Sequence, residues 1–77
     1  MTESQKDIID AVAEMVYTDL QTQYKRGDQL DPSVLLSRAN GAISTLEITA
    51  FTAPKVLLEM QRSSFLKKDT HGAYIMQ

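Results

Sequence analysis

Between Gln5 and Arg26 apolar residues recur at the three- and four-residue spacing of an amphipathic helix. At 100° per residue, Ile8, Ile9, Val12, Met15, Val16 and Leu20 gather on one face with Tyr24 at its edge, while Asp7, Asp10, Glu14, Thr18, Gln21 and Lys25 share the other. Ser4 or Thr2 can cap the start, and Lys25-Arg26-Gly27 has the base-then-glycine form of a helix end. With Ala11, Ala13 and Tyr17 at its margins the apolar arc is about 200° wide, whereas a helix with one neighbour needs about 100°. More than one neighbour is therefore expected. Asp19 falls inside the arc. Either the arc is solvated at that level, beside Gln23, or Asp19 forms an ion pair to a partner helix, with Arg38 the candidate.

A second helix is predicted over 32–49. Asp31-Pro32 supplies an N-cap followed by proline at the first helical position. Asn40-Gly41 is locally a hairpin signal, but the periodicity opposes it. Leu35, Ala39, Ala42, Ile43, Leu46 and Ala50 form one stripe, and Thr45-Leu46 breaks the alternation a strand would need. Gly41 is accordingly placed in mid-helix, on the polar side, at a cost of about 1 kcal/mol.

Thr52-Ala53-Pro54 restarts the chain, and a third helix is expected over 53–66, ending at Lys67-Lys68. Ala53, Val56, Leu57 and Met60 form one stripe. Leu58 and Phe65 lie on another side, with Leu66 beyond them. The Val56/Met60 side is expected to be core and the Leu58/Phe65 side an interface. The tail, 69–77, contains Tyr74-Ile75-Met76 after Gly72. It is either flexible or docked as an arm, and the sequence does not separate the two.

These elements predict an all-α, single-domain chain of three helices. At 77 residues without cysteine, and with one histidine, neither disulfides nor a closed zinc site can supplement a thin core. Together with the wide arc of the first helix and the two-sided third helix, this predicts a homodimer. The candidate interface residues are Leu58, Phe65, Leu66, Tyr17, Tyr24 and Asp19.

Composition narrows the function classes. A hydrophobic fraction of 43% and a charged fraction of 23% are those of a globular chain. Net charge is −2, which does not favour nucleic acid or an anionic membrane as the partner. The charge is uneven. Residues 1–31 carry seven acidic and three basic side chains; residues 51–77 carry two acidic and four basic ones. No apolar run is long enough to span a bilayer, and Met1–Lys6 is polar rather than a signal sequence, so a cytoplasmic location is expected.

Catalytic constellations are not evident. Asp7, Asp10 and Glu14 project from a solvated helix face rather than into a cleft where carboxyl pKa values could be driven apart. His71 stands in a turn near Asp69 without further ligands. Glycines at 27, 41 and 72 cannot build a phosphate-binding loop, and no serine lies in a nucleophile elbow. No enzyme activity, metal or cofactor is expected. The expectation is a small helical regulator that acts by occupying another protein's surface, in the manner of phage or mobile-element inhibitors and antirepressors. The alternatives are a helix-turn-helix DNA-binding regulator, carried by Lys55, Arg62, Lys67 and Lys68, and a structural subunit of an assembly.

Overall fold

A computed structural model of the chain describes residues 3–77. Six elements follow in order: α1 (Glu3–Gln21), β1 (Gln29–Leu30), α2 (Pro32–Thr45), α3 (Ala53–Arg62), β2 (Leu66–Lys68) and β3 (Tyr74–Met76). The chain is mostly helical but not all-α. The three strands form an antiparallel sheet in the order β1-β3-β2. The segment left open between flexible tail and docked arm thus supplies the central strand.

Each predicted helix exists, and each is shorter than predicted. α1 stops at Gln21 rather than 26. Tyr24 N–H bonds to the Leu20 carbonyl at 2.8 Å, and the Thr22 hydroxyl donates to the Asp19 carbonyl at 2.7 Å. Lys25–Asp28 is instead a separate turn. There Gly27 takes φ 92°, a conformation glycine adopts without strain. α2 opens as expected: Asp31 accepts from both the N–H and the hydroxyl of Ser33, each at 2.9 Å. It runs through Gly41 and ends at Thr45 rather than 49. α3 follows Thr52, whose side chain makes no capping bond, and ends at Arg62 rather than 66. Both ends are closed by a five-residue-back hydrogen bond, Ile48 N–H to the Ile43 carbonyl and Phe65 N–H to the Met60 carbonyl. The residues between, Glu47 and Ser64, sit at φ 54° and 63°.

The sheet is pinned by Gly27 N–H on the Met76 carbonyl and Met76 N–H on the Asp28 carbonyl, which continue the β1–β3 ladder. Registers Leu30↔Tyr74 and Leu66↔Met76 place Leu30, Leu66, Tyr74 and Met76 on one buried face. That face closes a core of Ile9, Val12, Ala13, Val16, Leu20, Leu35, Ala39, Val56, Leu57 and Met60, with Phe51 from the α2–α3 connection and Ala53 from the start of α3. α1 packs on both α2 and α3, and Tyr17 reaches the end of the sheet. The wide apolar arc of α1 is thus largely occupied within the chain. Two residues placed on that arc, Ile8 and Met15, instead lie outward, 41% and 43% exposed. The two-sided third helix also has an internal explanation, because Phe65 and Leu66 lie beyond its end.

Candidate nucleic-acid interface

α3 buries Val56, Leu57 and Met60. It turns Pro54, Leu58 and Arg62 to solvent, with Lys55 and Gln61 half-buried at the margins. Leu58 is 46% exposed in the middle of this face. After the Ser64 cap, the chain enters the β2–β3 hairpin. Its first strand carries Lys67 and Lys68, and its tip is Asp69–Ala73. Four of the chain's eight Lys and Arg residues lie on α3 and this hairpin.

The hairpin tip is organised by Asp69. Its Oδ1 accepts the N–H groups of His71 at 2.8 Å and Ala73 at 2.9 Å, and its Oδ2 accepts the Gln29 amide at 3.0 Å, tying the tip to β1. Partial desolvation opposes ionisation. The Ala73 and His71 N–H groups, with Gln29 and the nearby His71 imidazole, outweigh it and hold the Asp69 carboxyl below the ordinary range. Gly72 closes the turn at φ 85°. The strand registers set the direction of the lysines. Lys67 stands beside Ile75 on the outer sheet face, across from Gln29. Lys68 faces Tyr74, its ammonium 5.8 Å from the ring centroid. His71 and Thr70 are exposed at the tip.

The six residues predicted as one interface do not share a surface. Leu66 is 2% exposed and belongs to the core, because α3 ends before it and β2 turns its side chain inward. Tyr17 and Phe65 stack on each other, ring centroids 4.4 Å apart and planes within 8°, and Tyr17 Oη donates to the Gln77 main-chain carbonyl at 2.6 Å. Tyr24 is half-buried against the core. Asp19 meets Arg38 at 3.0 Å across α1 and α2, and the same guanidinium donates to Gln23. The ion pair weighed for Asp19 therefore forms inside the chain. Of the six, only Leu58 is a well-exposed apolar side chain.

A second surface lies between α1 and α2. A shallow groove is lined by Met15, Val16, Asp19, Arg38, Gly41 and Ala42, and Ile8 and Ala11 continue its apolar rim along α1. Among the described residues no group of three or more His, Cys, Asp or Glu side chains could hold a metal ion, and no helix is long and apolar enough to cross a membrane. Periodicity missed the hairpin altogether. Its one local signal was Asp69-Thr70-His71-Gly72, a turn cluster with an apolar triplet after it.

Compared with protein-family models, curated proteins and solved structures, the chain matches none.

Proposed function

We propose that the chain binds duplex DNA as a small winged helix-turn-helix module, with α3 presented to a groove and the β2–β3 hairpin laid along the backbone. The observation that carries this reading is the succession of α2, α3 and a lysine-bearing hairpin, its tip braced by Asp69, over one stretch of chain. The likeness is one of architecture, and the seven-residue connection 46–52 is longer than the compact turn of most such helix pairs. Chemistry adds support. Lys55, Arg62, Lys67 and Lys68 suit phosphates, Gln61 and Arg62 can address base edges, and Leu58 can pack on a thymine methyl. The net charge of −2 is compatible with this because seven of the ten acids lie in residues 1–31, away from α3 and the hairpin in sequence. The action is occupancy of a site, and hence regulation, rather than catalysis.

Fluorescence anisotropy with a labelled 20-base-pair duplex tests this reading. Up to four phosphate contacts give a slope of log affinity against log salt of about −3 to −4, and Lys67→Ala with Lys68→Ala should reduce it by about two. Absence of binding at low salt and tens of micromolar protein overturns the reading.

A second reading, association with a second copy, is favoured by the Ile8–Ala11–Met15 stripe. It runs at i, i+3, i+7 with small Ala11 at its centre and polar Ser4 and Asp19 at its ends. A two-fold axis would match such a stripe to itself and pair two reading helices. Light scattering that gives a single chain mass at tens of micromolar would exclude it.

A further inference from the structure

Behind the outer face of α3 lies a charge cluster that duplex binding does not itself require. Glu59 points to the flank of α3 against α1, its side chain only 12% exposed. Its carboxyl meets that of Asp10, whose Oδ1 is shut off from solvent without a hydrogen-bond partner. Two ionised carboxylates in such contact repel, and a buried unpaired oxygen adds the cost of lost hydration. Among the described residues the charged groups acting on Glu59 are Asp10 and Lys6 from α1 and Arg62 from its own helix. Arg62 reaches the Glu59 carboxylate at 4.0 Å with a side chain 67% exposed. One end of this cluster is therefore buried between helices and the other is an exposed cation at the proposed DNA surface.

We propose that the Asp10–Glu59 pair is a proton-operated control on the DNA-binding face, in which uptake of one proton releases Arg62 to the phosphate backbone. The proposal rests on the duplex-binding reading above. With both carboxyls ionised, Glu59 competes with phosphate for the Arg62 guanidinium. When one proton is shared, the protonated carboxyl donates to the other and the repulsion ends. With the proton on Glu59, the carboxyl facing Arg62 is neutral and the one negative charge the pair keeps lies on Asp10, between the helices; the hold on Arg62 weakens and the surface beside it becomes one unit less negative. The hydrogen bond to Asp10 acts first, with burial and the Asp10 charge behind it, to hold the Glu59 carboxyl above the ordinary glutamate range; Arg62 and Lys6 pull the other way. The control therefore operates above the ordinary glutamate value of 4.5.

The test uses the full chain carrying His71→Gln, so that the hairpin tip bears no histidine. Duplex affinity is measured at pH 7.5 and pH 5.0 at constant ionic strength. The expected result is about threefold or greater tightening on acidification, the scale of one freed charge contact at a partly exposed site. Adding Glu59→Gln should give the tighter affinity at both pH values. Arg62→Gln, added instead, should bind more weakly and lose the pH response. A response that survives Glu59→Gln, or affinity that is flat in the parent, overturns the control and leaves duplex binding standing. Failure of every variant to bind at either pH overturns the duplex reading and the control with it.

Discussion

Ile48 donates its backbone N–H to the carbonyl of Ile43 at 3.0 Å, across a Glu47 held at φ 54°. Phe65 and Met60 repeat the relationship across Ser64 at the end of α3. Both are Schellman-type closures, in which the left-handed residue is commonly glycine. Glu47→Gly and Ser64→Gly should each stabilise the chain by about 0.5–1 kcal/mol, since relief of left-handed strain exceeds the added freedom of the unfolded chain. Chemical denaturation measures this; a loss of stability in either variant would show that its side chain contributes more than the strain costs.

These closures also explain why the helix ends were not legible. The sequence offers glycine as a stop signal only at Gly27, which lies beyond the end of α1, while the true stops are Glu47 and Ser64. The hydrophobic period, by contrast, located the cores of all three helices, kept α2 continuous through Asn40-Gly41, and assigned Val56 and Met60 to the interior. Strands of two and three residues are too short to show alternation. Tyr74-Ile75-Met76 became legible only through its pairing with Gln29-Leu30, more than forty residues earlier. The site suffered from the same gap. Lys55, Arg62, Lys67 and Lys68 could be singled out by charge, but the hairpin that places two of them could not.

Gly41→Ala is expected to stabilise by about 0.5–1 kcal/mol. Gly41 is exposed in the interior of α2, is not among the residues with positive φ, and an added methyl would meet no atom within 4 Å. A thermal melt of the two proteins decides it, and a destabilised alanine variant would contradict the continuous helix.

Leu58 and Leu66 should behave oppositely, although the sequence places both in one apolar cluster. Leu66→Ala opens a cavity beneath the sheet and should cost about 2–4 kcal/mol. Leu58→Glu should change stability by no more than about 0.5 kcal/mol, because its side chain is outward. It should weaken duplex binding, since the new carboxylate faces phosphate. Denaturant midpoints separate the pair; comparable losses in both would mean Leu58 is covered in solution.

The titrating groups act on stability with opposite signs. The Ser33 N–H and then its hydroxyl hold the Asp31 carboxyl below its ordinary value, as the hairpin contacts do for Asp69. Both contributions are present above the ordinary aspartate value, 3.8, and are lost as pH falls below it. Glu59 is raised, so the folded chain holds its proton more tightly, and a penalty develops as pH rises from 4.5 through the folded-state value. Glu59→Gln should therefore melt higher than the parent at pH 7, with the difference closing by about pH 4. Asp69→Asn should melt lower at pH 7 and converge with the parent at low pH. Melting temperatures across pH 3–8 show whether the two variants diverge in these directions.

The position of β3 bears on how the molecule is made. It follows both β1 and β2 in the chain, yet it lies between them in the sheet. As the chain leaves the ribosome, α1, α2 and α3 can all form while β1 and β2 wait without a common partner, leaving Leu30 and Leu66 uncovered. The sheet is completed only when Tyr74–Met76 inserts between them, after which Tyr17 can grasp the Gln77 carbonyl. Closure of the sheet is thus deferred until Tyr74–Met76 has been made, and a nascent chain stalled before Tyr74 would be a sticky helical intermediate with Leu30 and Leu66 uncovered.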